Sequence, residues 1–295
     1  MSKLNCHRKG CTRIRSQFGL FLDRKRPPQY DGFHFCSERC LLSHVESELS
    51  EKWDQLQHAK SYNVPRPRLG TILLERAFVT ADQLEEAVKV QRQVREGRIG
   101  EWLLRLGFVE EHQITLALSK QCGIPMIHLR NVGAHTEAAR LVPGQVAKCS
   151  NLVPVGYGND RSSLRIAVSG PVDFNSQEAI RRMLRRGVMP YIGDHSAILA
   201  LMERSYPPHD LDLTAVPTYS SLPELLDISK GIIRYALDRR AGNIQFELVE
   251  DFLWARLDFE SGTHYRFCRH CTLQAASEEC HPRERQWAAA AVAAI

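Results

Sequence analysis

No Gly-Lys dipeptide occurs anywhere in the 295 residues, so there is no P-loop, in which glycines and a lysine cradle nucleotide phosphates. The phrases H-E-x-x-H and G-x-S-x-G are absent as well, which removes the zinc-peptidase and serine-hydrolase signatures. Long apolar runs are also missing. Nothing approaches the roughly 18 apolar residues of a membrane span, and no cationic stretch followed by an apolar one opens the chain. The expectation is a non-enzymatic, cytoplasmic protein without membrane insertion. Nor does one sign of charge dominate: 39 basic against 34 acidic side chains leave a net +5, which is compatible with an anionic ligand but does not by itself call for nucleic acid.

What is present is ordinary globular material, 43% hydrophobic and 25% charged, in a chain long enough for about two domains. Seven of the nine cysteines lie within the first 40 or the last 28 residues. Without a secretory signal, clustered thiols are more often metal ligands than disulfides.

The expected fold class is α+β and multidomain, in five segments. Residues 1–61 form a Cys-rich module followed by the polar helical stretch SERCLLSHVESELSEKWDQLQHAKSY, closed by the prolines of NVPRPR, which end helices. Residues 66–206 hold a tandem helical repeat followed by a small α/β part. There NLVPVGYG and LRIAVSGP read as strands, and NSQEAIRRMLRRG as a helix capped by Asn175 with Gly187 just past its end. Residues 207–221, rich in Pro, Ser and Thr, read as a linker. Residues 222–267 form a small α+β module, with a helix and two strands, NIQFELV and FLWARLDF, joined at Glu250 and Asp251. Residues 268–295 are a Cys-containing tail.

The repeat lies at residues 68–91 and 98–121. Aligned without gaps, the copies agree at Arg68/Arg98, Gly70/Gly100, Leu73/Leu103, Leu74/Leu104, Phe78/Phe108, Val79/Val109, Gln83/Gln113, Ala87/Ala117 and Gln91/Gln121, against about one or two agreements expected by chance. Each copy parses as a short helix, a turn at Ala77 or Gly107, and a longer helix, with Thr80 and Gln83 spaced as a capping box. Gly107 suits a left-handed terminus, whereas Ala77 at the same place costs on the order of 1 kcal/mol or distorts the turn. An Arg beside a Gly lets a guanidinium reach a phosphate or stack on a base, and a Gln offers both donor and acceptor to a base edge. Leu84, Val88 and Gln91 share one helix face, as do Ile114, Leu118 and Gln121. Three arrangements fit this pattern: hairpins stacked only on each other with a solvated Arg rim, a helix-turn-helix nucleic-acid module, and a two-fold site for a two-fold ligand.

The paired segments resemble the 24-residue motif of the MshEN-type domain found at the N-terminus of type II secretion and type IV pilus assembly ATPases. CGIPMIHL, LVPGQVAKCSNLVPVG and LRIAVSGPVDFNSQEAI resemble its remainder, so the likeness covers roughly residues 66 to 206. The resemblance implies cyclic di-GMP as the ligand. It assigns Arg68 and Arg98 as leading arginines, Gln91 and Gln121 as closing glutamines, and Leu69, Leu84, Val88, Ile99, Ile114 and Leu118 as the apolar bed, with Arg66 supplementing the phosphate contact. Ala77 in place of Gly, Ile99 in place of Leu, and Gly170 where family members often have Asp depart from the pattern. No GGDEF or EAL phrase is present to suggest that the chain makes or degrades the dinucleotide. RAGNIQFELVEDFLWARLDF resembles the start of the subdomain before the motor core of the same ATPases, matching at Ala241, Ile244, Glu247, Arg256 and Asp258 but not at Gly242, Asn243 and Gln245. The implied partner is a secretion or pilus ATPase or another protein.

NCHRKGC and HFCSERC supply Cys6, Cys11, Cys36 and Cys40, two thiol pairs of the kind that tetrahedral zinc takes. The second pair, followed by a helix, resembles a knuckle of treble-clef or MYM-like zinc fingers, with His44 as a substitute ligand; unmetallated buried cysteines are the other reading. A segment this short lacks an apolar core, so structural zinc would supply its folding energy. Cys268, Cys271, Cys280 and His281 form a second candidate set, with His270 as an alternative to His281. Two other functions stay open: a zinc-dependent nucleic-acid-binding regulator using HRKGCTRIR and the RRMLRR run at residues 181–186, and a scaffold that kept the fold and lost the ligand.

Overall fold

The computed structural model describes residues 3–16, 29–58 and 67–270, apart from 131, 134–135, 160, 172–173, 215 and 250–251. The fold class is α+β. The chain begins with an antiparallel pair, β1 (Lys3–Asn5) and β2 (Ile14–Ser16), then β3 (Gln29–Tyr30) and the helix α1 (Glu38–His58). Leu41, Val45 and Leu49, four residues apart, are buried along one side of α1, the stripe that a surface helix turns to a core.

The repeat supplies α2 (Leu69–Glu75), α3 (Ala81–Val94), α4 (Ile99–Arg105) and α5 (Glu111–Cys122). These pack mainly on each other around Ile72, Leu73, Ala87, Leu103, Ile114 and Ala117. Two short helices, α6 (Thr136–Ala139) and α7 (Gly144–Cys149), lead into β4 (Leu152–Tyr157), β5 (Ser163–Val168), α8 (Phe174–Leu184), β6 (Gly187–Ile192) and α9 (His195–Ser205). β4 and β5 are antiparallel, and β5 and β6 are parallel across the α8 crossover. Pro190 fits in β6 because β6 is an edge strand. Two expected details differ. α8 starts at Phe174, so Asn175 lies inside it and not at the position before its first residue. Arg185, at φ 52°, takes the left-handed terminus assigned to glycine, while Gly187 opens β6.

After a 3-10 turn at Pro208–Asp210 come β7 (Thr218–Tyr219), α10 (Leu222–Asp238), β8 (Asn243–Val249), β9 (Phe252–Phe259) and β10 (Gly262–His270). β10 lies outside the two strands read from the sequence and runs past residue 267. The segment read as a linker is bound to the body of the protein: β7 pairs in parallel with β10, and Val216 and Tyr219 are buried.

The five-stranded sheet has the order β3-β8-β9-β10-β7, so the N-terminal segment contributes a strand to the C-terminal sheet. β3 pairs in parallel with β8, Gln29 opposite Asn243. One face of the sheet carries Ile244, Phe246, Leu248, Leu253, Ala255, Leu257 and Cys268, which share a core with Leu41, Val45 and Leu49 of α1 and Ile232, Ile233 and Ala236 of α10. Val249, Phe252, Trp254 and Phe267 on the other face join the core of the β4-β5-β6 unit. Residues 1–61 and 222–267, expected as separate modules, are therefore joined by one sheet and one core, which explains how a small Cys-rich segment buries its apolar side chains.

Candidate functional site

Most of the repeated positions have packing roles. Leu73, Leu103, Ala87 and Ala117 are fully buried. A Cβ on Gly70 would come within 3.0 Å of the Leu84 methyls, and one on Gly100 within 3.2 Å of Leu69, so these glycines let the helices approach closely. Gln83 closes the capping box with Thr80: the Thr80 N–H donates to Gln83 Oε1 at 2.9 Å and the Gln83 N–H to Thr80 Oγ1 at 3.2 Å. Gln113 accepts the Glu110 N–H in the same way at 2.8 Å. The two turns are equivalent. Ala77 and Gly107 lie at φ 52° and 71°, and the N–H groups of Ala77 and Phe78 reach the Leu74 and Leu73 carbonyls just as those of Gly107 and Phe108 reach Leu104 and Leu103. The first turn is strained but not distorted.

Packing does not explain Arg68, Arg98, Gln91 and Gln121. Both arginines sit at the N-caps of short helices, exposed, and neither guanidinium pairs with a carboxylate among the described residues, although the Arg98 N–H donates to Glu101 Oε2 at 3.3 Å. The glutamines cross between copies. Gln91 Nε2 donates to the carbonyl of Gly97, next to Arg98, at 2.9 Å, and Gln121 Nε2 donates to the carbonyl of Pro67, next to Arg68, at 2.7 Å. Each copy thus holds the backbone that presents the other copy's arginine, and this use of Nε2 as a clamp is not evident from the sequence. The helices are crossed in the same sense, α2 against α5 and α3 against α4. Leu69, Leu84, Val88, Ile99 and Leu118 are half-buried and Ile114 is buried. The Arg98 guanidinium also lies beside the loop after β5, 3.7 Å from where a Gly170 Cβ would stand. Arg66 lies outside the described residues.

The basic run at residues 181–186 is engaged within the molecule. Arg181 pairs with Glu178 at 2.5 Å, Arg182 with Glu247 at 2.9 Å and Arg185 with Asp258 at 3.6 Å, while Arg186 donates to the Arg161 carbonyl at 2.8 Å. Glu247 also meets Lys52 of α1 at 3.3 Å. Arg256 holds Asp258 at 2.8 Å and donates to the Met183 carbonyl. Glu247, Arg256 and Asp258 lie on the same face of the sheet by register, so these motif-like residues form the seam against α8. Burial raises the Glu247 carboxyl above its usual value, against the pull of Lys52 and Arg182. For Asp258, burial is outweighed by hydrogen bonds from Arg256 and Thr263, and its carboxyl is held low. These contacts give the basic run a structural role within the molecule.

The sulfurs of Cys6, Cys11, Cys36 and Cys40 lie within 4.8 Å of one another. Sγ separations of 3.7 Å (Cys11–Cys36), 3.4 Å (Cys36–Cys40) and 3.9 Å (Cys40–Cys11) suit a tetrahedral ion with metal–sulfur bonds of about 2.3 Å, which sets sulfurs about 3.8 Å apart. Burial pushes the Cys40 thiol up, but hydrogen bonds involving Ser37, Cys36 and Arg8 outweigh it and bring it to about 6. Burial and the facing thiols push Cys36 to about 12. The four donors fit a metal that takes thiolates. His44 stands outside this group, its ring against Phe35 and Tyr30. Of the second candidate set, Cys268 is fully buried in the sheet core, its thiol pushed to about 12 by burial. Cys271, Cys280 and His281 lie outside the described residues, and His270 packs on Trp53 and Tyr219.

Among curated proteins, the type IV pilus assembly ATPase PilB of Thermus thermophilus is 28% identical over 176 residues, and PilB of Myxococcus xanthus is 30% identical over 139 residues. These alignments cover 58% and 47% of this chain but only 20% and 24% of those relatives, so the chain spans about a fifth to a quarter of their length. Among solved structures, one of MshE with cdg is 32% identical, covering 48% of this chain and 100% of that one with a TM-score of 0.42. The N-terminal domain of XpsE is 26% identical, covering 48% and 94% with a TM-score of 0.39. The MshEN domain model matches residues 122–210, from the end of α5 through the β4-β5-β6 unit and α9, directly after the repeat. The chain carries an MshEN domain.

Proposed function

We propose that this chain is a non-catalytic receptor for cyclic di-GMP, with residues 66–206 as its sensing segment. The supporting observation is the reciprocal clamp, in which Gln91 and Gln121 each hold the backbone beside the other copy's leading arginine. A dinucleotide with two phosphates and two guanines presents the same groups twice, so two equivalent frames engage it together. Arg68 and Arg98 take the phosphates as planar donors, with Arg66 beside them. Leu69, Leu84, Val88, Ile99, Ile114 and Leu118 bed the guanine and ribose faces. Zinc is held by Cys6, Cys11, Cys36 and Cys40, and would supply a cross-link between the N-terminal loop and the start of α1. The regulated partner is a protein of the secretion or pilus machinery.

The test is a calorimetric titration of cyclic di-GMP into the full chain and into an Arg68→Ala, Arg98→Ala variant. Saturation at one dinucleotide per chain is expected, with a loss of roughly 100-fold in the variant, since each charge-assisted contact is worth about tenfold or more. Both arginines are exposed, so the fold survives the change. Absence of binding at tens of micromolar would leave a scaffold that has lost its ligand.

A further inference from the structure

A cavity of about 420 Å³ lies away from the repeat, between residues 7–9, residues 30–33 and the side of α1 carrying His44, Ser47, Glu48 and Glu51. That volume falls within the range of small-molecule sites, about 300–1,000 Å³. Four of its lining residues, His7, Tyr30, Phe33 and His44, carry rings. The His7 and Phe33 rings stack at 3.8 Å, and the His44 ring stands edge-on to His7 at 5.5 Å and to Tyr30 at 5.7 Å. Tyr30 is 2% exposed, and its hydroxyl lies toward Glu48 without closing a hydrogen bond to it.

The charges around the cavity decide the sign of an occupant. Glu48 is held by Lys52 at 2.8 Å, and Arg8 is directed at the Cys40 sulfur at 3.9 Å. The charged groups of the lining, counted together, are Arg8 and Lys9 against Asp31, Glu48 and Glu51, an excess of one negative charge. Burial lowers the His44 pKa, against the pull of Glu48 at 3.7 Å. Ring faces carry negative potential and attract cations within about 6 Å, whereas an anion entering here would meet two carboxylates. We propose that this cavity binds an organic ammonium group, free as in choline or borne on the end of a lysine side chain, between the aromatic rings and the carboxylates of Asp31 and Glu51.

The experiment is calorimetry on the full chain at ionic strength fixed with sodium chloride. Its probes are choline, a short peptide with a central Nε-trimethyl-lysine, the same peptide with alanine there, and inorganic phosphate. Saturable binding of choline, of the lysine peptide, or of both is expected, and which of them saturates identifies the source of the ammonium group. Phe33→Ala and Glu51→Gln, both at exposed positions, are expected to weaken it by about fivefold and about threefold with unchanged circular dichroism. Failure of both cationic probes, equal binding of the alanine peptide, displacement by phosphate, or full retention of affinity in both variants would overturn the proposal. None of these outcomes bears on cyclic di-GMP, which would occupy the repeat.

Discussion

Ala77 holds a left-handed backbone at φ 52°, where its Cβ crowds the following carbonyl and a glycine would not. The second copy has Gly107 in the same conformation, with the same pair of turn hydrogen bonds. Exchange at either site therefore changes local strain and leaves the hydrogen bonds intact. Ala77→Gly is expected to raise the unfolding free energy by about 0.5–1 kcal/mol, and Gly107→Ala to lower it by a similar amount. Urea denaturation of the two variants measures both; a destabilised Ala77→Gly protein would mean that the turn relies on the Ala77 methyl.

Among the elements, each long helix of the repeat ends in a glutamine that reaches across to the opposite short helix. Gln121→Ala frees the Pro67 carbonyl, and Gln91→Ala frees that of Gly97. The loss is about 1 kcal/mol for one hydrogen bond, concentrated at the start of the opposite short helix. Amide hydrogen exchange should rise at residues 68–72 in Gln121→Ala and at residues 98–102 in Gln91→Ala, with cyclic di-GMP binding weakened about fivefold in each. A rise confined to the substituted copy's own short helix would disprove the cross-copy clamp.

Across the whole molecule, Glu247 joins three parts of the chain, pairing with Lys52 of α1 and Arg182 of α8 from its place in β8. Its folded carboxyl is raised above the ordinary 4.5, burial outweighing both cations. The folded state then binds protons more tightly than the unfolded one, so this group's contribution is fully present below pH 4.5 and is lost as pH rises through the folded value. The stability of wild type relative to Glu247→Gln should fall over that interval, read from urea midpoints taken between pH 4 and pH 8. A difference that grows with pH would show the two ion pairs outweighing burial. Asp258 acts in the opposite direction: held below its ordinary 3.8, it adds stability that is lost as pH falls through its folded value. The thiolate cluster is coupled to the same body, because Cys36 and Cys40 share a core with Ile233 and Phe246. If the cluster holds the proposed zinc, a chelator should therefore raise hydrogen exchange in α10 and β8 as well as in residues 3–16 and 29–58. Loss of protection in residues 3–16 and 29–58 alone would separate the two.

Local order was legible from the residues alone. The tandem copies, the Thr80–Gln83 cap, the turns at Ala77 and Gly107, α1, and the strands β8 and β9 all follow from periodicity, turn chemistry and capping, which act within a few residues. The two cysteine pairs likewise announced a thiol cluster. What only the tertiary structure decided was which surfaces meet. β3 joins the sheet of β8, β7 turns an apparent linker into an edge strand, Arg182 and Arg185 become partners of Glu247 and Asp258, and the glutamines bind backbone across the repeat. Pattern tells a strand which face to bury but not against what; that choice belongs to the apolar faces and charges left over once each local element has formed, and for β3 and β8 these came from distant parts of the chain.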